Sequence, residues 1–594
     1  MAGDRDHPGR RGCPEKRKVD MTRQLDTVPT DSDALEAALA EIRRVQEAHW
    51  PPEVPRTVEY PIEGRGLVDY LRHWASVRPH APAIEFYGRT VGYAEYDDLS
   101  DRFAGWLLAR GARAGDRVGV HLGNCPQFHV AMLGILKIGA VHVPVNPMLR
   151  EHELAHELAD AGVTILLTQP ELLPLVEAVR PRTPVRHVAV TALGDMLAGV
   201  APGEVPPPFP VADSAVGDWA GIVDSPRAPA VATDPDALAA LNYTGGTTGM
   251  PKGCEHTQWH MVYTAAAATV GGGRRVGETT VVLNYLPMFW IAGEVFGILN
   301  PLVNGGTVVL MTRWDADAAP ALVERHGVTS TVGTVDNYVE LMEAPGFDGS
   351  RAASLDNAMA VSFVLKLDPA IRRRWRDATG HTLREASYGM TETNTADTFT
   401  LGFQDGDVDL ESEPVFCGLP VPGTDILIVD ETGAPVPIGA TGQIIVRSPS
   451  VTTGYYRNAE ATADSFQGAW LRTGDVGRFD ERGALHYLAR NKEMIKTNGM
   501  SVFPAEVEAL LRMHPDVATV AVVPKSDPDR GQVAFAFVQP VPGAAVTAEG
   551  LVAWARENMA GYKVPIVELV AALPMTATGK IRKGDLFARA EERN

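Results

Sequence analysis

The sequence predicts an α/β protein in which a large N-terminal domain with several subdomains, one of them β-rich, precedes a small α+β C-terminal domain. Three observations predict this class. The chain has 594 residues, more than one domain of ~100–200 residues needs. Helix-period segments alternate with short β-branched runs over most of the chain. After Gly418 the pattern changes to short strands separated by turn residues.

The alternating region accounts for the α/β part of the prediction. The segment from His129 to Val145 is almost wholly apolar but contains Lys137 and His142, so we expect a buried helix followed by a strand rather than a membrane span. Residues 201–235 are rich in Pro and Ala, which predicts a surface loop. Strands are predicted at the β-branched runs Val118–His121, Val163–Leu167, Thr280–Leu286, Thr307–Met311 and Val328–Val332.

The C-terminal part of the chain predicts two further units. After Gly418, strands Asp425–Val429 and Gln443–Arg447 are separated by turns, which is typical of a compact β-rich subdomain. A separate α+β unit begins just after Arg490. In it we expect helix Pro504–Met513, strands Thr519–Val523 and Val533–Val538, and helix Ala548–Met559. The predicted division is a disordered polar tail at 1–34, a large domain at 35–489 and a small domain at 490–594.

Composition excludes several classes of protein. Lys and Arg together number 54 and Asp and Glu 74, so the net charge is −20 and nucleic acid is not an expected partner. Hydrophobic residues make up 45% of the chain, too many for disorder throughout, and no run is long enough for a membrane span. The four cysteines are far apart and lack CxxC spacing, which argues against a zinc or redox motif and favours the cytoplasm.

The segment Tyr243–Gly253, with the sequence YTGGTTGMPKG, carries the strongest chemical signal. Its glycines let backbone N–H groups approach an anion, its threonines add hydroxyl donors, and Lys252 adds a positive charge, a combination that suits a polyphosphate. It is not a GxxxxGK[ST] loop, so kinase-like transfer of a γ-phosphoryl group is not expected. The alternative is a flexible Gly/Thr turn. The residues expected to contact nucleotide phosphates are Thr244, Gly245, Gly246, Thr247, Thr248, Gly249 and Lys252.

This segment closely resembles the phosphate loop of adenylate-forming enzymes, the superfamily of acyl-CoA synthetases, luciferases and non-ribosomal adenylation domains. Further segments typical of that family follow in the family's order, and the resemblance extends from about Gly64 to the C-terminus. These segments are Tyr388–Thr393 (YGMTET), Arg472–Asp475 (RTGD), Arg490–Lys496 (RNKEMIK) and Leu573–Arg582 (LPMTATGKIR). The resemblance implies the family's reaction, in which a carboxylate attacks the α-phosphate of ATP, pyrophosphate leaves, and a thiol then takes the acyl group.

The resemblance assigns the adenylation chemistry to three residues. Lys580 would be a mobile point charge between the carboxylate and the α-phosphate, where it offsets the repulsion of two anions. Thr391 would donate to the α-phosphate, and Glu392 would hold Mg²⁺ beside the phosphates, because this cation prefers oxygen ligands. The alternatives are a surface lysine in a Gly-Lys turn, and a helix start with Thr391 as its cap.

The resemblance also assigns residues to the nucleoside of ATP. Asp475 would accept hydrogen bonds from both ribose hydroxyls, and Arg490 would reach the ribose from the domain junction. Tyr388, followed by Gly389 and Met390, would offer an aromatic face to adenine. The alternatives are a common Gly-Asp turn, an interdomain salt bridge and a core tyrosine.

The resemblance assigns Lys492 and Gly499, which follow Arg490 in the sequence, to the second half-reaction. Lys492 falls at the family's hinge, where the small domain rotates so that one site serves both half-reactions. Residues Lys496–Val502 would line the thioester-forming state, in which Gly499 would leave room for the pantetheine arm of coenzyme A. The expected cofactors and cosubstrates are therefore ATP, Mg²⁺ and coenzyme A.

Two departures from the family pattern bear on the acid substrate. Trp290 stands where the family usually has His, and Val361–Val364 replaces a Gly-Gly-Ala-Pro segment. We expect the bulkier side chains of that segment to shorten or redirect the pocket, unless the backbone shifts. Glu294 could also face the pocket, but a solvent-facing or salt-bridged position is favoured. The residues expected to line the pocket are Trp290, Phe296, Ser362 and Phe363, which indicate a hydrophobic acyl or aryl acid.

The predicted function is therefore that of an ATP-dependent carboxylic acid–CoA ligase of fatty acid metabolism. The main alternative is an adenylating enzyme that loads a separate carrier protein. A luciferase-like oxygenase uses the same motifs. A nucleotide-binding protein without catalysis is disfavoured by the presence of Thr391, Glu392, Asp475 and Lys580 together.

Overall fold

The computed structural model describes residues 32–200, 203, 205–212, 217–244, 251–345, 347–362, 365–411, 415–497, 500–528, 530–559, 561–576 and 580–593. Residues 1–31 of the predicted tail lie outside this part of the chain, and residues 32–34 are helical. Among the predicted site residues, those outside the described residues are Gly245, Gly246, Thr247, Thr248, Gly249, Phe363 and Gly499.

The strands alternate with helices over the first two thirds of the chain, as predicted. In chain order they are β1 (Pro82–Phe86), β2 (Arg89–Gly92), β3 (Arg117–His121), β4 (Val141–Pro144), β5 (Val163–Thr168), β6 (His187–Val190), β7 (Leu238–Tyr243), β8 (Gly253–Thr257), β9 (Val281–Asn284), β10 (Thr307–Leu310), β11 (Ser330–Thr334), β12 (Asn357–Val361), β13 (Arg384–Glu385), β14 (Thr398–Phe399), β15 (Phe416–Pro420), β16 (Asp425–Val429), β17 (Gly442–Arg447), β18 (Phe466–Gln467), β19 (Trp470–Phe479), β20 (Leu485–Arg490), β21 (Ile495–Thr497), β22 (Met500–Val502), β23 (Val517–Asp527), β24 (Gly531–Pro540) and β25 (Ile566–Leu569).

The α-helices connect and cover these strands. In chain order they are α1 (Ser32–Ala48), α2 (Leu67–Val77), α3 (Tyr93–Ala109), α4 (Pro126–Lys137), α5 (Glu151–Ala161), α6 (Leu173–Val179), α7 (Trp219–Val223), α8 (Gln258–Gly271), α9 (Ile291–Glu294), α10 (Asn300–Asn304), α11 (Ala319–His326), α12 (Val335–Glu343), α13 (Pro369–Thr379), α14 (Val408–Glu411), α15 (Ala459–Ser465), α16 (Pro504–Arg512), α17 (Ala548–Asn558) and α18 (Lys583–Glu591).

Two mostly parallel sheets form the larger part of the fold. One has the strand order β13-β12-β11-β9-β10-β1-β2, and the other has the order β6-β5-β3-β4-β7-β8. Only the edge pairs β1–β2 and β7–β8 are antiparallel in these two sheets. Parallel strands need crossover connections, and the helices that supply them bury the sheet faces. The β7–β8 pair is thus an exception, in which two consecutive strands pair directly at a sheet edge.

The core of the large domain includes helix α4, which is buried on all sides. Every residue of α4 is buried, and α4 and β4 confirm the predicted helix and strand between His129 and Val145. Lys137 ends α4 with its side chain 1% exposed, and its Nζ lies 2.6 Å from Asp97 and 2.7 Å from Asp101. These two carboxylates compensate the burial of the ammonium, so an almost apolar helix can end on a lysine.

The third sheet is antiparallel and forms the β-rich subdomain. Its order is β14-β15-β20-β19-β17-β16, with β18 paired to β19. Strand β16 has the bounds predicted for Asp425–Val429. Helix α1 packs its apolar residues Leu35, Leu39 and Ile42 against this sheet.

The small C-terminal α+β domain contains the sheet β22-β21-β24-β23, with β25 parallel to β24. Strands β23 and β24 are longer than predicted, because their polar ends still pair across the hairpin, as Lys525 does with Val533 and Asp527 with Gly531. Among the described residues, no helix combines the length and apolarity that crossing a membrane requires.

Three further predictions differ from the observed structure. Strand β11 is shifted from Val328–Val332 to Ser330–Thr334, because the Val328 N–H closes the end of α11 by donating to Val323 O. Strand β9 is shorter than predicted at both ends. The predicted surface loop at 201–235 contains α7, whose Trp219 is only 3% exposed, so part of this loop belongs to the core.

Candidate active site

The β7–β8 hairpin holds the two ends of the predicted phosphate loop together. Tyr243 pairs with Gly253 across the hairpin, and the Thr244 N–H donates to Lys252 O at 3.0 Å. The Tyr243 hydroxyl donates to Asp160 at 2.7 Å, which fixes the base of the loop against α5. Thr244 and the exposed Lys252 therefore flank the connection predicted to bind phosphates.

A segment from the β-rich subdomain joins β8 and brings a carboxylate to the loop. Cys254 and Tyr455 form an antiparallel bridge, and the Tyr455 hydroxyl donates to Glu392 Oε1 at 2.8 Å. Lys252 Nζ lies 4.7 Å from the centre of the Tyr455 ring, within the range of a cation–π contact. Tyr455 thus stands between the lysine of the loop and the carboxylate of Glu392.

Thr391 and Glu392 are the first two residues of a short 3₁₀ turn, Thr391–Thr393. The alternative interpretation of this segment as a helix start is therefore compatible with its backbone, although Met390 and not Thr391 occupies the cap position. His256 on β8 binds Thr391 O through Nε2 at 2.8 Å, and Thr452 N–H donates to Glu392 O at 2.7 Å. The turn is therefore fixed from two sides. Gly389 precedes it and needs to be glycine, because a Cβ atom there would lie 1.6 Å from Thr395 O.

The donor set beside the loop fits a hard cation without enclosing it. Glu392 is almost fully buried and offers a carboxylate, the ligand type that Mg²⁺ prefers. The described residues contain no group of three His, Cys, Asp or Glu side chains placed to hold a metal by themselves. A magnesium ion with one protein carboxylate and several phosphate and water ligands is compatible with this arrangement.

Asp475, Tyr388 and Arg490 meet at the junction between the two domains. Tyr388 Oη donates to Asp475 Oδ2 at 2.6 Å, and Arg490 Nε lies 3.1 Å from Asp475 Oδ1. Asp475 and Arg490 face each other across the β19–β20 pair, and Gly474 before Asp475 has a φ of +73° that favours glycine. Burial raises the pKa of Asp475 to about 6, against the opposing effect of Arg490.

Tyr388 is largely buried and its hydroxyl is engaged by Asp475, so the residue stands beside the predicted ribose site. Burial and the Asp475 carboxylate both raise the pKa of Tyr388, which keeps the phenol protonated as a donor. Met390 follows in an extended conformation just before the 3₁₀ turn. Lys492 lies in a second 3₁₀ turn, Asn491–Glu493, directly after β20.

Lys580 of the small domain reaches the same cleft. Met575 and Ile581 form an isolated antiparallel bridge, and beside it the Lys580 N–H donates to Thr576 Oγ1 at 2.9 Å. Its Nζ lies 5.5 Å from the centre of the Trp290 ring of the large domain. Although the side chain keeps an exposed part, surrounding protein atoms lower the pKa of Lys580, and Arg490 adds to this effect.

The predicted pocket residues lie at different depths. Trp290 precedes α9, and its backbone N–H donates to Pro287 O at 3.0 Å. Phe296 is partly buried in a π-helical turn, Val295–Leu299, that continues α9. π-helical turns inside helices are frequent at functional sites.

Ser362 follows β12 and is held by the half-buried carboxylate of Glu385, which the sequence did not indicate. Its N–H donates to Glu385 Oε1 at 3.0 Å and its hydroxyl to Glu385 Oε2 at 2.5 Å. Lys366 Nζ donates to Ser362 O at 2.8 Å, and burial lowers the pKa of Lys366, with a further contribution from Arg512 of the small domain. This segment therefore lies next to the small domain.

Glu294 is fully buried, which contradicts the solvent-facing part of the favoured solvent-facing or salt-bridged position. Its Oε2 accepts a hydrogen bond from Asn242 Nδ2 at 3.2 Å and lies 3.8 Å from His142 Nε2, beyond hydrogen-bond distance. Burial raises the pKa of Glu294 to about 8 and lowers that of His142 to about 3. Both groups are therefore mainly neutral near pH 7, and no ion pair forms.

Three contributors to the site were missed by sequence reasoning: Tyr455, Glu385 and His256. Each is far along the chain from the residue that it contacts. Strand pairing and the packing of separate elements bring each of these residues to its partner, and the spacing of residues along the chain does not predict such contacts. For Tyr455, the available signal in the sequence is the pair Tyr455 and Tyr456 after Gly454, two aromatic residues that lie outside any predicted strand.

These contacts define a two-domain α/β protein in which a cleft lies between a large α/β domain and a small α+β domain, and the small domain contributes Lys580 to that cleft. The chain matches the AMP-binding enzyme family over residues 71–456 and the AMP-binding enzyme C-terminal domain over residues 506–580. It therefore belongs to the AMP-binding enzyme family, and the predicted fold class is confirmed.

Relatives and solved structures agree with this membership. A feruloyl-CoA synthase from Amycolatopsis sp is 32% identical over 532 residues, covering 89% of this chain and 100% of the relative. A long-chain-fatty-acid–CoA ligase from Bacillus subtilis is 30% identical over 574 residues, covering 92% and 98%. The structure of ATP-bound MatB from Rhodopseudomonas palustris has a TM-score of 0.76 at 26% identity, with coverage of 89% and 99%.

A further solved structure is similar in both fold and chemistry. The anthranilate CoA ligase AuaEII in complex with anthranoyl-AMP has a TM-score of 0.74 at 26% identity, with coverage of 89% and 97%. The chain is accordingly an AMP-forming acid–thiol ligase, which adenylates a carboxylic acid with ATP and then forms a thioester with coenzyme A. The carrier-protein alternative is not favoured.

Proposed function

We propose that this ligase activates a hydrophobic acyl or aryl carboxylic acid in the cleft between Trp290 and Lys580. One observation carries the proposal. The ammonium of Lys580 in the small domain lies over Trp290, at a position where the large domain also contributes the junction residues Asp475 and Arg490. A catalytic cation, an aromatic wall and polar groups suited to a ribose thus converge on one cleft.

The roles of the residues in the first half-reaction follow from their chemistry. A carboxylate oxygen of the acid attacks the α-phosphorus of ATP, and the bond to the β-phosphate oxygen breaks as pyrophosphate leaves. Lys580 would stabilise the charge that grows on the phosphate oxygens, and Thr391 would donate to the same group. Asp475 and Arg490 would hold the ribose, with Tyr388 fixing the carboxylate of Asp475 through the hydrogen bond at 2.6 Å.

Phosphate binding is proposed for the loop between β7 and β8. Thr244 and Lys252 flank it, and the residues Gly245, Gly246, Thr247, Thr248 and Gly249 complete it. Glu392 would hold Mg²⁺, which supplies charge neutralisation of the phosphates when it is bound. Tyr455 would orient the Glu392 carboxylate for that task.

The second half-reaction would use another orientation of the small domain. We place the domain boundary at Arg490 and the hinge at Lys492, which directly follows β20. Rotation at this hinge would withdraw Lys580 and let Gly499 and its neighbours approach the coenzyme A thiol. The thiol then gives up its proton to solvent, its sulfur attacks the acyl carbon, and the bond from that carbon to the phosphate oxygen breaks as AMP leaves.

The acid is proposed to be hydrophobic because of the side chains at the pocket. Trp290 and Phe296 supply aromatic surface, and Ser362 is held by Glu385 rather than left for the substrate. Of the relatives, one is named for a feruloyl group and another for long-chain fatty acids. Both names fit a hydrophobic aryl or acyl acid. The second name supports the proposed role of this chain in fatty acid metabolism. The described cysteines are buried free thiols, which favours the cytoplasm.

A panel experiment tests this proposal. Purified protein is incubated with ATP, Mg²⁺ and single acids, among them ferulate, benzoates and fatty acids of increasing length, with and without coenzyme A. Pyrophosphate release identifies the acid, and mass spectrometry separates acyl-AMP from the thioester. We expect turnover of hydrophobic acids and loss of adenylation in Lys580→Ala. Exclusive turnover of small polar acids would contradict the proposed acid class.

A further inference from the structure

The adenylation role proposed for Lys580 requires that its ammonium occupy a defined position in the cleft. Thr576 and Lys580 exchange two hydrogen bonds, the Thr576 N–H donating to Lys580 O at 2.6 Å and the Lys580 N–H donating to Thr576 Oγ1 at 2.9 Å. These bonds fix the backbone of Lys580. The four-carbon side chain beyond it retains several rotatable bonds, and contacts to the large domain decide where its ammonium stands.

Trp290 is a rigid platform for such a contact. Its carbonyl accepts the Glu294 N–H at 2.8 Å and its own N–H donates to Pro287 O, so its backbone is tied to α9 and to the preceding turn. A Cβ at Gly293 would lie 2.0 Å from Pro287 O, which means that the turn and the helix pack without spare room. The Met288 N–H donates to Asn124 Oδ1 at 2.9 Å and anchors the same turn to the core.

We propose that Trp290 is a positioning residue for adenylation, whose indole face docks the ammonium of Lys580 when the small domain is in the orientation described here. The ring centre is 5.5 Å from Lys580 Nζ, inside the ~6 Å range within which an aromatic ring attracts a cation. Trp is the side chain that does this best. The inference rests on the proposed adenylation role of Lys580.

The surrounding charges make such a contact useful. Burial lowers the pKa of Lys580 and Arg490 lowers it further, so Arg490 repels the ammonium, whereas the aromatic ring attracts it. Unlike a carboxylate, a neutral ring does not compete with the α-phosphate for the charge of the ammonium. A neutral aromatic face holds the cation while leaving its charge available to the reacting groups. A histidine at this position would offer a smaller ring and could itself become protonated.

The experiment compares the two half-reactions in wild type, Trp290→Phe and Trp290→Leu, with an acid that wild type adenylates. Phe289→Leu is the matched control, an aromatic-to-leucine change one residue earlier. We expect kcat of adenylation at saturating acid to fall about 5- to 30-fold in Trp290→Leu and less in Trp290→Phe, from the usual strength of a cation–π contact. Thioester formation from preformed acyl-AMP should remain within about twofold of wild type.

The pH profile separates docking from a merely structural role. Because the ring favours the protonated amine, its removal should move the alkaline limb of the adenylation rate about half a unit to one unit lower in pH. An unchanged alkaline limb, a rise only in KM for the acid, or an equal loss in both half-reactions would overturn the proposal. In each of these cases adenylation by wild type still stands, whereas absence of adenylation by wild type would remove the proposed function itself.

Discussion

Replacing Glu294 with glutamine tests the electrostatics of the buried cluster that Glu294, at the end of α9, forms with Asn242 and His142. Among the described residues, Asn242 Oδ1 and both ring nitrogens of His142 have no hydrogen-bond partner, so acceptors stand close to the carboxyl group. A glutamine amide has the same shape as a protonated carboxyl group and can donate to such acceptors. We therefore expect the Glu294→Gln variant to fold and to be more stable than wild type at alkaline pH.

The magnitude follows from the pKa of Glu294 in the two states. The unfolded chain releases this proton near its usual value of 4.5, whereas the folded chain holds it until about pH 8, because the charged form is buried. Wild type therefore loses stability as pH rises between these values, by about 1.4 kcal/mol per unit. Glutamine does not ionise, so between pH 5 and pH 8 wild type should lose about 3 kcal/mol more than the variant.

Urea unfolding followed by tryptophan fluorescence at both pH values provides the assay. The control is Glu171→Gln, since Glu171 is exposed on a short 3₁₀ turn and its replacement should leave the pH dependence as in wild type. The expected result is a gap between wild type and Glu294→Gln that opens from pH 5 to pH 8. Parallel pH dependences of the two proteins would refute the reasoning.

Three further changes probe the cleft. Asp475→Ala should weaken ATP binding by about 1.5–3 kcal/mol for each ribose hydrogen bond lost. In wild type, the affinity for ATP should fall as the pH drops through about 6, because Asp475 becomes protonated there. Calorimetric titration measures both effects, and a wild-type affinity that is constant from pH 7 to pH 5 would contradict the ribose-binding role of Asp475. Lys580→Ala should abolish acyl-AMP formation and spare thioester formation from preformed acyl-AMP; equal loss of both steps would contradict the two-orientation scheme. Tyr455→Phe keeps the ring under Lys252 but removes the donor to Glu392, so the adenylation rate should fall roughly tenfold in rapid-quench measurements, and an unaltered rate would exclude that role.

The sequence predicted the layered fold well because local patterns and burial agreed there. Strand β16 has its predicted bounds, and α4 with β4 appears where the apolar run indicated. The errors arose where tertiary pairing extends or shifts an element. Polar residues such as Lys525 look like a strand end, yet the opposite strand continues and keeps them paired.

The site divides in the same way. The resemblance to adenylate-forming enzymes singled out Asp475, Arg490 and Lys580, and the structure brings these three to the interdomain cleft. Residues that act through packing were invisible in the sequence. Glu385 reaches Ser362 from a neighbouring strand, and Glu294 is buried although a glutamate on a short helix is most often exposed. A single sequence gives the type of each side chain but not the direction in which a distant element presents it.

Exchange of labelled pyrophosphate into ATP tests the central claim most directly, because it reports the reversible formation of acyl-AMP without any need for coenzyme A. The proposed site predicts that label enters ATP when a suitable hydrophobic acid is present, and that Lys580→Ala, folded and still able to bind ATP, shows no exchange. Absence of exchange for folded wild-type protein with every acid offered, or full exchange in Lys580→Ala, would contradict the assignment of this cleft as the adenylation site.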